Sequence, residues 1–197
     1  MRGLLLGLLL AGTLAAQTKL ESAEALAFGP NGVLFVGDAA AGAIVAVETG
    51  DTKPEPAVER LALDGIDQTI ATLLGVKPSE VRFTDVKVNP ASKAIYVSVT
   101  KGRGPDAAPV ILRVDAKGAL QQVDTAKLKS TRVELPGLPN APIRRRASRT
   151  QTITELQYAD GKVIVAGLSN EIRHACRNSR GASACFASPY VVSPATG

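Results

Sequence analysis

Apolar and polar residues alternate along most of this chain in short stretches that are separated by turn residues. The same strand–turn–strand pattern occurs at residues 26–36, 86–97 and 156–165. Proline, asparagine, aspartate and glycine occupy the intervening turns, where a preset or positive φ angle is needed. Alternation of period two predicts strands, and repetition on this scale predicts a stacked or radial β architecture.

Residues 64–76 depart from the strand pattern, because their apolar side chains recur every three or four positions. This spacing predicts one short helix inserted between the repeats. Asp64 or Asp67 is available to cap its N-terminus, and Gly75 is placed to end it. The predicted fold is therefore all-β with one short helix.

The first 16 residues have the layout of a cleaved signal peptide. Arg2 follows the initiating methionine, residues 3–12 are apolar, and residues 13–16 are small enough for a signal peptidase. The apolar run is too short to span a bilayer comfortably, and no later stretch is longer. The sequence therefore predicts a secreted or periplasmic product that does not insert into a membrane after cleavage.

Charge and motif content exclude several classes of function. The formal net charge is +5, and Arg2 and residues 171–197 carry three of these excess positive charges. The nearly neutral body predicts no nucleic-acid partner. Residues 17–170 also lack histidine, cysteine, a Gly-x-Ser-x-Gly elbow and a nucleotide-binding glycine motif. The sequence therefore identifies no catalytic residue.

Residues 26–38 read LAFGPNGVLFVGD, and a short loop then leads to GAIVAV at residues 42–47. This phrase resembles a blade of the NHL and SMP-30/gluconolactonase-like bacterial β-propellers. TDVKVNP at residues 84–90 resembles the opening of the next blade. The resemblance covers residues 24–170 at most, and it implies an incomplete β-propeller of two blades and part of a third.

A propeller closes with at least four blades, so this resemblance leaves three alternatives open. The chain is a fragment, it self-associates to complete the ring, or its β fold is of another kind. Its last segment favours a fragment, because residues 171–197 contain no leucine, lysine or aspartate. A truncated or frame-shifted reading after about residue 171 would explain the change of composition.

The same irregular tail holds the only histidine, His174, and both cysteines, Cys176 and Cys185. Export permits a Cys176–Cys185 disulfide, which would make the tail a genuine closed loop. The spacing of these three residues matches no zinc signature. The domains expected from the sequence are thus a signal peptide at 1–16, a partial β-propeller at 17–170 and an irregular tail at 171–197.

Three acidic residues near the starts of the repeat strands are the candidate site residues. Asp85 and Glu155 occupy matching positions in their repeats, and Glu24 lies one position earlier in its own. Their carboxylates either cap strand ends in solvent or line the mouth of the central channel of a propeller. In the gluconolactonase-like family such oxygen ligands hold a divalent cation, for instance calcium, and the resemblance implies that Glu24 is the early glutamate of that set.

Two hypotheses of function follow. The first is an exported β-propeller-like binding or scaffold protein, whose ligand or protein partner is unknown. The alternative is a fragment of a metal-dependent gluconolactonase-like lactone or ester hydrolase. In that case the remaining metal ligands would lie beyond residue 197.

Overall fold

Three antiparallel sheets and one α-helix make up the part of the chain that a computed structural model describes, which is residues 19–56, 63–135, 152–167 and the backbone of 190–192. The predicted signal peptide lies outside these ranges, as do Cys176 and Cys185. The elements in chain order are β1 (Ala25–Phe28), β2 (Val33–Asp38), β3 (Ala43–Glu48), α1 (Ile66–Leu74), β4 (Val81–Val88), β5 (Ile95–Lys101), β6 (Ala108–Val114), β7 (Leu120–Val123), β8 (Ser130–Glu134), β9 (Glu155–Ala159), β10 (Lys162–Ala166) and β11 (Tyr190–Val192).

The strands are joined by the turns that their sequences predict. Asn31 and Gly32 between β1 and β2 have φ angles of 56° and 69°, and Asp160 and Gly161 between β9 and β10 have 50° and 75°. Asparagine, aspartate and glycine tolerate this left-handed region better than other residues do. The predicted turns are therefore confirmed at both positions.

The helix is present, and it begins differently from the prediction. Gly65, with a φ of 61°, precedes the first helical residue, and no side chain makes a capping hydrogen bond there. The expected cap by Asp64 or Asp67 is therefore wrong, and Asp67 lies inside the first turn. Gly75 ends the helix as predicted, because its φ of 67° lets its N–H reach the carbonyl oxygens of the last turn.

The strand order differs from the order of the chain. Sheet 1 has the order β1-β2-β3-β8, sheet 2 has β4-β5-β6-β7, and sheet 3 has β11-β10-β9. The strand β8 follows β7 along the chain, but it pairs with β3 and completes sheet 1. Val133 of β8 lies opposite Ile44 of β3, so the pairing extends the apolar face of sheet 1 outward.

The sheets stack in the order α1, sheet 2, sheet 1, sheet 3. One core lies between sheets 1 and 2, and it contains Leu26, Leu34, Val36, Val45, Tyr96 and Ile111. A second core lies between sheets 1 and 3, and it contains Ala27, Phe35, Ile44, Leu156, Val163 and Val165. The helix covers part of the other face of sheet 2, where its Ile70 packs with Val97, Val99 and Leu112 of the sheet. Sheet 1 is thus buried on both faces, which explains the nearly continuous apolar runs of β2 and β3.

Candidate functional site

The first strands of the three sheets meet, because β1 contacts both β4 and β9. Five charged side chains gather where these strands meet. We call this group the inner edge, and it consists of Glu24, Arg82, Asp85, Lys87 and Glu155.

A β-bulge in β4 turns two neighbouring side chains toward sheet 1. The register with β5 shifts between Phe83 and Asp85, which makes Thr84 the extra residue. Thr84 Oγ1 donates a hydrogen bond to the carbonyl oxygen of Ala23 at 2.7 Å. Asp85 Oδ2 accepts one from the backbone N–H of Leu26 at 2.8 Å. The bulge thus lets two consecutive residues contact the same neighbouring sheet, which a regular strand does not allow.

Asp85 protects the free edge of sheet 1. The strand β1 is an edge strand, so the N–H of Leu26 has no partner strand on that side. A carboxylate oxygen of Asp85 accepts this N–H, and the other oxygen accepts the N–H of Val86 at 2.7 Å. An edge N–H near the protein interior would otherwise be unsatisfied. Asp85 therefore links sheet 2 to sheet 1 through a side chain instead of a shared strand.

Lys87 joins the first strands of sheets 2 and 3, β4 and β9. Its Nζ lies 2.7 Å from Glu155 Oε1 and 3.7 Å from Asp85 Oδ2. The hydrogen bond to Glu155 raises the pKa of Lys87, burial opposes the rise, and the charge of Asp85 adds to it. The ammonium group therefore stays charged throughout the neutral range.

Arg82 and Glu24 form the outer part of the inner edge. Arg82 Nη2 lies 3.2 Å from Glu24 Oε1 and 3.2 Å from Thr100 Oγ1. The Arg82 side chain is 61% exposed, whereas Glu24 is 13% exposed. The glutamate thus positions a guanidinium group that faces solvent.

The structure places all three predicted site residues at the inner edge. Asp85 and Glu155 approach the same lysine, and Glu24 contacts an arginine. Within the described ranges, no three histidine, cysteine, aspartate or glutamate side chains lie close enough together to hold a metal ion. Each of the three carboxylates instead contacts a cationic side chain, and their role as cation ligands stays a prediction.

Sequence reasoning missed both cations of this group. Arg82, Asp85 and Lys87 lie on one strand, in the sequence RFTDVK at residues 82–87. The available signal was the presence of these charged residues along a strand that is otherwise rich in β-branched and aromatic residues. Their partners come from segments 58 and 68 residues away in sequence, so the pairing depends on how the sheets stack.

A second polar cluster ties sheet 1 to sheet 2 at another place. Asp51, in the segment after β3, accepts hydrogen bonds from Ser92 Oγ at 2.8 Å, from Tyr96 Oη at 3.0 Å and from Arg113 Nε at 2.8 Å. Glu55 accepts a further bond from Arg113. Every member of this cluster has a partner, so the arrangement is suited to stabilising the stack.

The cluster shifts the pKa values of its acids in opposite directions. Burial acts to raise the pKa of Asp51, but the hydrogen bonds from Arg113, Ser92 and Tyr96 outweigh it and hold the pKa below its ordinary value of 3.8. Burial raises the pKa of Tyr96 to about 12, and the negative charge of Asp51 adds to the rise. The folded protein therefore favours a charged aspartate beside a neutral tyrosine.

We expect the stability of the protein to fall at alkaline pH because of Tyr96. The raised pKa favours the protonated phenol, so its contribution is complete below the ordinary value of 10.0 and is lost as the pH rises toward about 12. Above the ordinary pKa the loss is about 1.4 kcal/mol for each pH unit. Urea unfolding of wild type and of Tyr96→Phe at a series of alkaline pH values measures it.

The wild type should lose more stability than Tyr96→Phe between about pH 9 and pH 11, by about 1 kcal/mol. The variant should start from a lower stability at neutral pH, because the carboxylate of Asp51 loses one donor. If the free energies of unfolding of the two proteins fall by the same amount over this pH range, the phenol of Tyr96 does not titrate as described.

No protein-family model matches the chain, and comparisons with curated proteins and with solved structures find no significant match. The described part of the chain contains no helix that could span a membrane. A function for this chain is therefore inferred from the arrangement of its own residues.

Proposed function

We propose that this chain is an exported β-propeller-like binding or scaffold protein that presents its inner edge to a ligand. The observation that carries the proposal is the convergence of five charged side chains from three sheets at the meeting point of the first strands. The side chains of Arg82 and Glu155 remain 61% and 55% exposed there. Fixed, partly exposed donors and acceptors are suited to recognising a polar ligand.

Two features support a propeller-like arrangement. Each sheet begins with its innermost strand and continues outward by antiparallel neighbours, which is the order of strands in a propeller blade. On the face of sheet 2 that α1 covers in part, β4 also leaves Phe83, Val86 and Val88 between 45% and 56% exposed. A further sheet packed on that face would bury these three side chains.

The chemistry at the inner edge favours binding over catalysis. Carboxylates that are each paired with a cation are poorly placed to act as a nucleophile or a general base. The described part of the chain also contains no histidine or cysteine. The alternative hypothesis, a metal-dependent lactone or ester hydrolase, would require Glu24 to exchange Arg82 for a divalent cation.

A thermal-shift experiment with defined probes tests the proposal. The probes are glucose, succinate, glutamate and spermidine, which represent a neutral sugar, an anion, a zwitterionic acid and a cation. At least one probe should raise the Tm of the wild type, because a ligand that binds only the folded state stabilises it. Lys87→Met should abolish that shift, since it removes the charge that joins Asp85 to Glu155.

Lys127→Met is the matched control, because this lysine is 80% exposed and pairs with Asp124, a residue outside the inner edge. It should keep the ligand-induced shift of the wild type. Hydrolysis of p-nitrophenyl acetate or of a δ-lactone that requires calcium and is lost in Glu24→Gln would contradict the proposal and support the hydrolase.

A further inference from the structure

We infer that a cleft beside the inner edge binds the anionic group of a small molecule, either a carboxylate or a phosphate. The inference rests on the proposed function, because Arg82 belongs to both the inner edge and the cleft. The cleft has a volume of about 510 Å³ and lies where β4 begins and β5 ends. Its polar side chains belong to Ser79, Glu80, Arg82, Thr100 and Arg103.

Arg103 is positioned in this cleft without being neutralised. Four arginines lie in the described ranges, and Arg82, Arg113 and Arg132 each contact a carboxylate. Arg103 contacts no carboxylate among the described residues, and its Nη2 donates to the backbone oxygen of Ser79 at 2.7 Å. A backbone carbonyl fixes the guanidinium but leaves its full charge. An arginine held in this way is suited to an anionic ligand.

Arg82 supplies further donors to the same cleft. Its Nη2 is used by Glu24 and Thr100, both at 3.2 Å. Within the described part of the chain, no acceptor contacts its Nε or Nη1. Because a guanidinium group carries five N–H donors, most of this side chain's hydrogen-bonding capacity stays available to a ligand.

The balance of charge around the cleft favours an anion. Its lining contains the two guanidinium groups and one carboxylate, that of Glu80. The carboxylate of Glu80 accepts the backbone N–H of Lys77 at 3.0 Å within its own turn. Glu24, outside the lining, balances Arg82, so the guanidinium of Arg103 is the positive charge in the cleft that has no carboxylate partner among the described residues. The cleft should therefore prefer an anionic molecule to its neutral counterpart.

Matched pairs of probes test this assignment by isothermal titration calorimetry. The pairs are succinate with succinamide, and glycerol 3-phosphate with glycerol, so each pair differs mainly in charge. At least one anion should bind wild type about ten-fold or more tightly than its neutral partner, as expected for hydrogen bonds to charged groups. Which pair shows the preference distinguishes a carboxylate from a phosphate ligand.

Arg103→Gln should weaken binding of that anion by about ten-fold and leave its neutral partner unaffected. Lys127→Gln is the control, because it removes an exposed positive charge that lies outside the cleft. It should bind both members of the pair as the wild type does.

Three results would overturn the anion assignment: equal binding within both pairs, no effect of Arg103→Gln, or no binding of either anion. If one of these occurs while Lys87→Met still abolishes binding of glucose or spermidine, the anion assignment fails and the binding function stands. If no probe binds in a manner that depends on Lys87, the proposed function fails as well.

Discussion

Asp38→Ala should lower the free energy of unfolding by about 3–5 kcal/mol, because it removes an acceptor on which several buried donors depend. Asp38 is 0% exposed. Its carboxylate accepts the backbone N–H groups of Glu21 at 3.0 Å, Ser22 at 2.8 Å and Ala41 at 3.3 Å. Arg132 Nη1 lies 3.5 Å from the same carboxylate. The side chain thus fastens the segment before β1 to the end of β2.

Urea unfolding of the purified variants measures this effect. Asp38→Asn should lose less than Asp38→Ala, because the amide keeps one acceptor oxygen. Asp124→Ala is the matched control, since Asp124 is 50% exposed and contacts only the Lys127 side chain and backbone N–H groups of its own exposed turn among the described residues. It should leave stability nearly unchanged. An Asp38→Ala protein as stable as this control would contradict the described role of the buried carboxylate.

Asp51→Ala should lower the free energy of unfolding by about 3–4 kcal/mol. The change leaves the hydroxyls of Ser92 and Tyr96 without their carboxylate acceptor. It also removes one of the two carboxylates that Arg113 contacts, since Glu55 remains. Ser92 and Tyr96 are 0% and 1% exposed, so water cannot easily replace the lost acceptor. The variant should also weaken the contact between sheets 1 and 2, because the segment that carries Asp51 follows β3 of sheet 1, whereas Tyr96 and Arg113 lie on strands of sheet 2.

A double-mutant cycle with Arg113→Met isolates the ion pair. The double variant should lose clearly less stability than the sum of the single variants, because Asp51 is left without its cation only in Arg113→Met. Glu55 loses Arg113 in both variants that carry Arg113→Met, so that loss cancels in the cycle. The contribution of Asp51 should be complete above its ordinary pKa of 3.8 and should be lost as the pH falls through its lowered pKa. Additive effects in the cycle, or a wild-type acid profile that Asp51→Ala reproduces, would contradict this account.

The strands and turns could be predicted because their causes are local. Alternating side chains and a pair such as Asp160 and Gly161 determine a hairpin within a few residues. Gly75 ends the helix for the same kind of reason. The N-terminus of the helix was predicted wrongly because an aspartate is only a statistical preference there, and the left-handed Gly65 performs the turn without a side-chain cap.

The pairing of β8 with β3 could not be predicted, because it joins segments that are far apart in the chain. The sequence of β8, STRVE at residues 130–134, has one apolar residue and suits the edge of any sheet. In the folded protein Val133 of β8 lies opposite the buried Ile44 of β3. This contact forms only once the core around Ile44 is assembled, so it leaves no local signal in the sequence.

The candidate site was predicted in part. Asp85 and Glu155 could be identified as candidates because they occupy matching positions in their repeats, and the structure places both beside Lys87. The bulge at Thr84 left no mark in the sequence, although it determines which face of β4 carries Asp85. The cationic partners were missed because an ion pair between stacked sheets has no spacing rule along the chain.

Thermal unfolding of wild type, Lys87→Met and Lys127→Met with the four probes determines whether the inner edge binds a polar ligand. At least one probe should raise the Tm of wild type and of Lys127→Met and leave that of Lys87→Met unchanged. A probe set that stabilises none of the three proteins, or all three equally, would contradict this prediction.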